Sequence, residues 1–109
     1  MSIRFLPLTV AIVPMRSASG VLRVAVAGDI DESTAPALRT ALDDAAVGHP
    51  AGLEVDVAEV THFSLAGLRV FDDVQRRLGG ALVLLGVGRP VRRLLELQDR
   101  FGPTGIVRR

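Results

Sequence analysis

Residues 54–71 have the sequence Glu-Val-Asp-Val-Ala-Glu-Val-Thr-His-Phe-Ser-Leu-Ala-Gly-Leu-Arg-Val-Phe, and this stretch decides the fold. Val55 and Val57 alternate with Asp56, which is the pattern of a short β-strand. From Gly67 onward the apolar residues recur at helical spacing, at Phe71, Val74 and Leu78. A small, polar segment separates the two patterns, so the stretch predicts a strand, a short turn and a helix.

The turn inside this stretch is where we expect function. Ser64 is a candidate N-cap for the helix, because serine side chains accept hydrogen bonds from the first backbone N–H groups of a helix. The free N–H groups of Leu65, Ala66 and Gly67 would then point away from the carboxyl end of the strand. Open α/β folds place their binding sites at that end of the sheet.

Composition excludes several classes of protein. The chain of 109 residues is long enough for one hydrophobic core, and we expect a single domain over residues 1–109. Its 49% apolar and 23% charged residues give a globular balance. The absence of Cys excludes disulfides and thiolate metal sites, and it fits a cytoplasmic location. A net charge of +1 without Trp or Tyr argues against nucleic-acid binding.

The N-terminal apolar run from Phe5 to Met15 is shorter than the roughly 20 residues that cross a bilayer, so we expect no membrane insertion. We interpret this run as an edge strand, because Pro7 and Pro14 lack the N–H groups that a central strand donates. A second aliphatic run around Val24 follows a turn rich in Gly and Ser. The two runs therefore predict an antiparallel hairpin.

Two further helices are predicted outside the central stretch. The first follows the polar turn 28–34 and ends at 48–50, and its apolar face comprises Leu38, Ala41, Leu42 and Ala45. The second begins within 86–90, and one of its faces comprises Val91, Leu94, Leu95 and Gln98. Between the central and last helices, residues 81–85 form a continuous apolar run, which is typical of a strand covered on both faces.

The element order ββαβαβα predicts an α/β fold in one domain. We expect a mixed β-sheet of about four to five strands, with an N-terminal hairpin and with helices packed on the sheet. Residues 105–109 are expected to add a short strand or to fray.

Three stretches match the pattern of one protein family. Residues 24–36, with Val-Ala-Val-Ala-Gly-Asp-Ile-Asp and then Thr-Ala-Pro, are similar to its strand, Gly-x-Leu-Asp turn and helix start. Residues 53–68 are similar to its next strand and its Asp-Ser-x-Gly-Leu turn, and residues 90–97 to its final helix. The family is that of STAS domains, the bacterial anti-sigma factor antagonists. The resemblance extends from about residue 20 to residue 101 and implies a STAS-like fold.

The chain departs from this family at its regulatory residue. When the sequences are aligned on Gly67, the family's Asp falls on Ser64 and its phosphorylated Ser or Thr falls on Leu65. In the family, a partner kinase phosphorylates that hydroxyl, and the added charge of about −2 blocks binding. Leu65 cannot be phosphorylated, so the resemblance implies that this switch is lost or has moved to Ser64 or Thr61.

The resemblance motivates a partner-binding surface made of two segments, which we call the turn surface. It comprises Asp29, Asp31, Glu32, Ser33, Ser64, Leu65, Ala66, Gly67, Leu68 and Arg69. Its residues also have structural interpretations. Ser64 is favoured as a helix cap worth about 1 kcal/mol, and Gly67 is favoured for close packing. Leu65 is either an exposed contact or a plug in the core, and the acidic residues are either solvated or a rim for a basic partner.

Catalysis is not expected. His62, Ser64 and Asp56 are the residue types of a catalytic triad, but His62 and Ser64 lie two positions apart on one local segment, whereas nucleophile and base need mutual hydrogen-bond reach. Two separated histidines make no metal site. The segment 86–88 lacks the third glycine and the acidic residue of a dinucleotide-binding motif, so we expect no cofactor.

We therefore expect a non-enzymatic protein-binding regulator that resembles an anti-sigma factor antagonist. It would sequester a kinase-like anti-sigma factor and so release a sigma factor, without the usual phosphorylation switch. The alternative is a STAS-like subunit or scaffold of a larger complex, such as a stressosome or a lipid-transport assembly. We expect a monomer or a weak homodimer, because an exposed strand edge can pair with another copy.

Overall fold

The computed structural model describes residues 2–5, 8–16, 20–48, 51–102 and 105–109, with side chains from residue 20 onward. The elements are β1 (Ser2–Phe5), β2 (Leu8–Arg16), β3 (Leu22–Ile30), α1 (Ala35–Val47), β4 (Leu53–Phe63), α2 (Leu65–Arg77), β5 (Leu82–Leu85), α3 (Arg89–Asp99) and β6 (Val107–Arg108). The strands form one sheet in the order β1-β2-β3-β4-β5-β6. The first three strands are antiparallel and β3 to β6 are parallel. The predicted α/β fold with a mixed sheet and an N-terminal hairpin is confirmed, with six strands instead of four or five.

The additional strand comes from the N-terminus. The prediction of one edge strand over Phe5–Met15 is wrong, because β1 forms the edge and β2 lies between β1 and β3. The pairing of β1 with β2 reaches only Ala11, and the pairing of β2 with β3 is irregular between Val13 and Arg16. Pro14 falls within that irregular part, where a missing N–H interrupts no regular ladder. The first helix ends at Val47 with Gly48 as its C-cap, within the predicted end at 48–50. Pro7, the hairpin turn 17–19 and residues 49–50 lie outside the described residues.

The hydrophobic core lies on one face of the sheet. The parallel strands β3 to β6 follow one another across the sheet in chain order. Because right-handed crossovers join each of these strands to the next, the connecting helices all pack on the same face of the sheet. The strand residues that face the helices are buried, namely Leu22, Val24, Val26, Ile30, Leu53, Val55, Val57, Val60, Phe63, Leu82 and Leu84. Val83 and Leu85 point to the other face of β5 and are only half-buried. The prediction that this strand is covered on both faces is therefore wrong.

The helices agree with their predictions. The buried residues of α1 are Ala35, Leu38, Ala41, Leu42 and Ala45, and α3 buries Val91 and Leu95. Thr34 occupies the N-cap position of α1, and a proline stands in the first turn of both α1 and α3. On the outer side, two ion pairs join α1 to α2, from Arg39 to Asp73 at 2.9 Å and from Arg77 to Asp43 at 2.7 Å.

Strand β4 is longer than predicted and takes up most of the predicted turn. Its register with β3 shifts twice, since Ala25 pairs with Asp56 but Ala27 with Glu59, and a second shift follows Gly28. Each shift places one extra residue on β4, as a β-bulge does, and this breaks the alternation by which strands are recognised. Ser64 is consequently the single residue between β4 and α2.

Candidate functional site

The carboxyl ends of β3 and β4 bring the two predicted segments of the turn surface together. The Ser64 N–H donates a hydrogen bond to the Ile30 carbonyl at 2.9 Å. The Thr61 hydroxyl donates to the Asp29 carboxylate, with an oxygen–oxygen distance of 2.6 Å. These bonds join neighbouring parallel strands at the end of the sheet where binding sites form.

A network of short hydrogen bonds fixes the acidic turn. The Asp31 carboxylate accepts from the Ser33 hydroxyl at 2.6 Å and from the backbone N–H groups of Ser33 and Thr34 at 2.9 and 3.1 Å. The buried Thr34 hydroxyl accepts from the Asp31 N–H and donates to the Asp29 carbonyl, each at 2.9 Å. Asp29 and Asp31 thus hold the turn in shape. Glu32 is exposed and has no hydrogen-bond partner among the described residues.

The Asp31 carboxylate should make folding stability depend on pH. Its hydrogen bond from the Ser33 hydroxyl, followed by that from the Thr34 N–H, lowers the pKa of Asp31 below the ordinary value of 3.8. Because the folded pKa is depressed, the ionised group stabilises the fold above pH 3.8, and this contribution is lost as the pH falls through the folded pKa. We predict that the difference in unfolding free energy between wild type and Asp31→Ala is constant near neutral pH and shrinks below pH 3.8.

Urea denaturation of both proteins, from neutral pH to below pH 3.8, measures that difference in unfolding free energy. The contributions of the other carboxylates cancel in the difference, because both proteins carry them. In a Ser33→Ala background the shrinkage should be weaker, since the hydroxyl is the main cause of the lowered pKa of Asp31. A difference that does not change with pH would contradict the prediction.

Ser64 caps α2 with its backbone and not with its side chain. Its conformation is extended, and its carbonyl accepts from the Leu68 N–H at 3.2 Å. Its hydroxyl makes no capping hydrogen bond, so the predicted side-chain cap is wrong. The hydroxyl oxygen is enclosed and has no hydrogen-bond partner among the described residues. A kinase would reach it only after the side chain rotated, whereas the Thr61 hydroxyl belongs to an exposed residue.

The first turn of α2 divides into exposed and buried residues. Leu65 is 45% exposed, which supports its interpretation as a contact and not as a core plug. Leu68 is 3% exposed, because it lies one helical turn before the buried Phe71 on the same face. Gly67 is also buried, and a Cβ atom there would lie 2.4 Å from Ile30 Cγ2. The prediction of Gly67 and Leu68 as partner contacts is therefore corrected, since both belong to the core.

The accessible part of the turn surface, which on α2 comprises Leu65 and Arg69, ends in a shallow cleft between α2 and α3. The cleft has a volume of about 230 Å³ and is lined by Leu65, Leu68, Arg69, Asp72 and Gln98. It combines an exposed apolar side chain with a guanidinium group and a carboxylate. This combination suits a protein partner, because interfaces pair apolar anchors with a polar rim.

The structure offers no support for catalysis at Ser64. Asp56 pairs with Ala25 and the last residue of β4 pairs with Ile30, five positions further along β3, so Asp56 lies more than about 15 Å from Ser64 at the rise of a strand. Its carboxylate accepts a hydrogen bond from the Ala58 N–H at 3.0 Å instead. Within the described ranges, no three His, Asp or Glu residues cluster as metal ligands would. Over the same ranges, none of the helices has the length and apolar character needed to span a bilayer.

Comparison with known proteins identifies the family. The family model described as "Mlab, STAS domain" matches residues 14–100. This chain belongs to the STAS domain family. The STAS domain is similar to the crystal structure of an anti-sigma factor antagonist from Mycobacterium paratuberculosis, with 27% identity, a TM-score of 0.73, and coverage of 85% of this chain and 79% of that chain. Comparison with curated protein sequences gives no match.

A second solved structure shares the fold of this STAS domain. The anti-sigma factor antagonist SpoIIAA in its unphosphorylated form matches with a TM-score of 0.57 and 16% identity. The match covers 91% of this chain and 87% of that chain. At 16% identity this similarity is evidence for the fold alone.

Sequence reasoning missed one feature of this STAS domain, a groove beside the end of β4 that we call the α3 groove. Its volume is about 660 Å³, and the lining includes His62 and Phe63 from β4, Arg89, Arg93 and Leu97 from α3, and Arg100 directly after α3. The last four follow the spacing i, i+4, i+8 and i+11, which places them on one stripe of the helix and its C-cap. That spacing could have predicted the stripe from the sequence. The position of β4 alongside the stripe is set by tertiary packing.

Proposed function

We propose that this STAS domain is a non-enzymatic anti-sigma factor antagonist that binds a kinase-like anti-sigma factor through the accessible part of the turn surface. The observation that carries the proposal is the exposure of Leu65 at the first position of α2, beside the hydrogen-bonded ends of β3 and β4. The similarity to the mycobacterial antagonist over 85% of the chain supports the class of partner.

Leu65 explains how such binding would work and why it would be constitutive. Full burial of a leucine side chain contributes about 1.5–3 kcal/mol, and because Leu65 is 45% exposed, its burial in a partner would contribute roughly half of that. Arg69, one turn further along α2, can pair with a carboxylate at the rim of the contact. Since Leu65 has no hydroxyl, a kinase partner cannot add the charge that would oppose the contact at this position.

The variant Leu65→Asp tests the proposal. An aspartate places a charge in the centre of the apolar contact, and we expect the affinity for the anti-sigma factor to fall by about thirtyfold or more, as at an interface hot spot. Folding should be preserved, because an anionic side chain in the first turn of a helix interacts favourably with the helix dipole. The partner is recovered by affinity purification from native extract and mass spectrometry, and its affinity is then measured by calorimetry.

Val47→Asp is the matched control. Val47 is 86% exposed at the end of α1, so the substitution makes the same kind of change away from the turn surface. We expect this variant to bind as the wild type does. If Leu65→Asp and wild type bound the recovered anti-sigma factor equally well, the turn surface would not be the binding site.

A second candidate function is that of a permanent STAS subunit or scaffold in a larger complex, such as a stressosome or a lipid-transport assembly. The observation that favours it is the presence of exposed apolar side chains towards and just after the end of α3, Leu97 at 50% and Phe101 at 80%. Permanent interfaces are more apolar than exchangeable ones. Co-purification of a transporter or scaffold that survives high salt would support this function, and an exchangeable complex with an anti-sigma factor would exclude it.

A further inference from the structure

We propose that the α3 groove binds an acidic peptide segment that carries apolar side chains and belongs to a partner protein. The groove lies beside the turn surface and uses different residues. The inference therefore does not rest on the proposed function.

The distribution of ion pairs points to this groove. All 13 cationic side chains of the chain are arginines. Among those whose side chains the structure describes, six form ion pairs, namely Arg23, Arg39, Arg76, Arg77, Arg108 and Arg109. Arg89, Arg93 and Arg100 all line the α3 groove, and none has an ion-pair partner in the part of the chain that the structure describes. Arg69 and Arg92 also lack an ion pair among the described residues, but Arg69 lies at the other cleft and Arg92 donates to the Val87 carbonyl. The α3 groove therefore holds three of the five described arginines without an ion pair.

Two of these charges disfavour the helix in the isolated chain. Arg89 and Arg93 are four residues apart, so their like charges repel along one helix face. Both lie near the N-terminal end of α3, where the helix dipole disfavours cations, and the first turn contains no acidic residue that would compensate. An anionic occupant would relieve both penalties.

The shape of the groove selects a peptide among anionic occupants. Arg89 and Arg100 are eleven positions apart, which corresponds to about 16 Å along the helix. A single phosphate group would leave part of this row of guanidinium groups unpaired, whereas carboxylates spaced along a peptide can pair with each of them. A flat membrane surface cannot enter a concave groove of about 660 Å³.

The walls of the groove favour an occupant that carries apolar side chains as well as negative charge. Phe63 forms part of one wall, and Leu94 and Leu97 of α3 form part of the other. Glu96 also lines the groove, so the charge is not uniform and a purely acidic segment is a poorer match. Arginine suits this role, because its planar guanidinium binds carboxylates through two parallel hydrogen bonds.

The test uses a fluorescein-labelled amphipathic peptide of about 12 residues, made of Glu and Leu, which can span the length of α3. Fluorescence polarisation is measured with wild type, Arg93→Glu and Arg92→Glu. Arg92 is on the same helix and changes the net charge equally, but it does not line the groove and donates to the Val87 carbonyl. We expect Arg93→Glu to weaken binding by about tenfold or more and Arg92→Glu by less than about twofold.

Three further measurements separate the alternatives. A Glu and Ser peptide of equal charge should bind at least about fivefold more weakly, since it lacks apolar anchors. Amide chemical shifts should move at residues 62–63 and 89–100, and Leu65→Asp should bind the Glu and Leu peptide like wild type. Equal losses in Arg92→Glu and Arg93→Glu would indicate a net-charge effect and overturn the proposal. Binding to vesicles containing anionic phospholipid without binding to the peptide would overturn it in favour of a lipid ligand.

Discussion

Replacement of Phe71 by alanine is expected to lower the free energy of unfolding by about 3–5 kcal/mol. Phe71 is fully buried, and its ring stacks on that of Phe63 with a centroid distance of 5.6 Å. Truncation removes this aromatic contact and leaves a cavity between α2 and the end of β4 that a close-packed core cannot fill. A domain of this size has a total stability of roughly 5–15 kcal/mol, so the loss is a large share of it.

Phe101→Ala is the matched control for this prediction. Phe101 follows α3 and is 80% exposed, so its truncation should change the unfolding free energy by less than about 0.5 kcal/mol. Chemical denaturation of the two variants and the wild type measures both effects. Equal stabilities of Phe71→Ala and Phe101→Ala would contradict the position of Phe71 in the core.

Gly67→Val should destabilise the domain by about 3 kcal/mol or more, as severe overpacking does. A Cβ atom at Gly67 would lie 2.4 Å from Ile30 Cγ2 and 2.7 Å from Phe63 Cε1. Ile30 is fully buried and branched at Cβ, so it has little rotational freedom to move away. The clash should push α2 off the sheet, and it outweighs the gain of less than about 0.5 kcal/mol that replacing glycine with valine gives a helix.

Gly48→Ala is the control for a glycine replaced without a clash. Gly48 lies at the end of α1 with φ of −99°, and no atom lies within 4 Å of the Cβ position. We expect a change of less than about 0.5 kcal/mol there. Thermal denaturation followed by circular dichroism measures both variants. A Gly67→Val protein as stable as the wild type would show that α2 does not pack this closely on β3 and β4.

The helices were predictable because their amphipathic patterns are strong. In α1 the apolar residues from Leu38 to Ala45 follow helical spacing, and the same residues are buried in the structure. The strands were less predictable. The bulges in β4 disturb its alternation, so Thr61 and His62 resemble turn residues in sequence although they continue the strand. In β5 an apolar run does not show whether one or both faces are covered, because that depends on where the helices pack.

The position of the turn surface could be predicted, but the exposure of its residues could not. Parallel strands end at one edge of a sheet, so the proximity of Asp29 to the end of β4 follows from the predicted topology. Whether Leu65 or Leu68 faces the core depends on the rotation of α2, and the first residue of the helix fixes that rotation. The sequence pattern placed the start of α2 only to within a few residues.

The single-residue connection at Ser64 limits how this domain can diversify. Each added residue would rotate α2 by about 100° about its axis, and the rotation would carry Phe71 and Val74 out of the core. Most binding loops accept insertions, because their ends tolerate a change of length. The single-residue connection at Ser64 cannot change its length in this way without rotating α2. On the proposed function, a change of partner would come from substitution at exposed positions such as Leu65 and Arg69, while the placement of α2 on the sheet would stay the same.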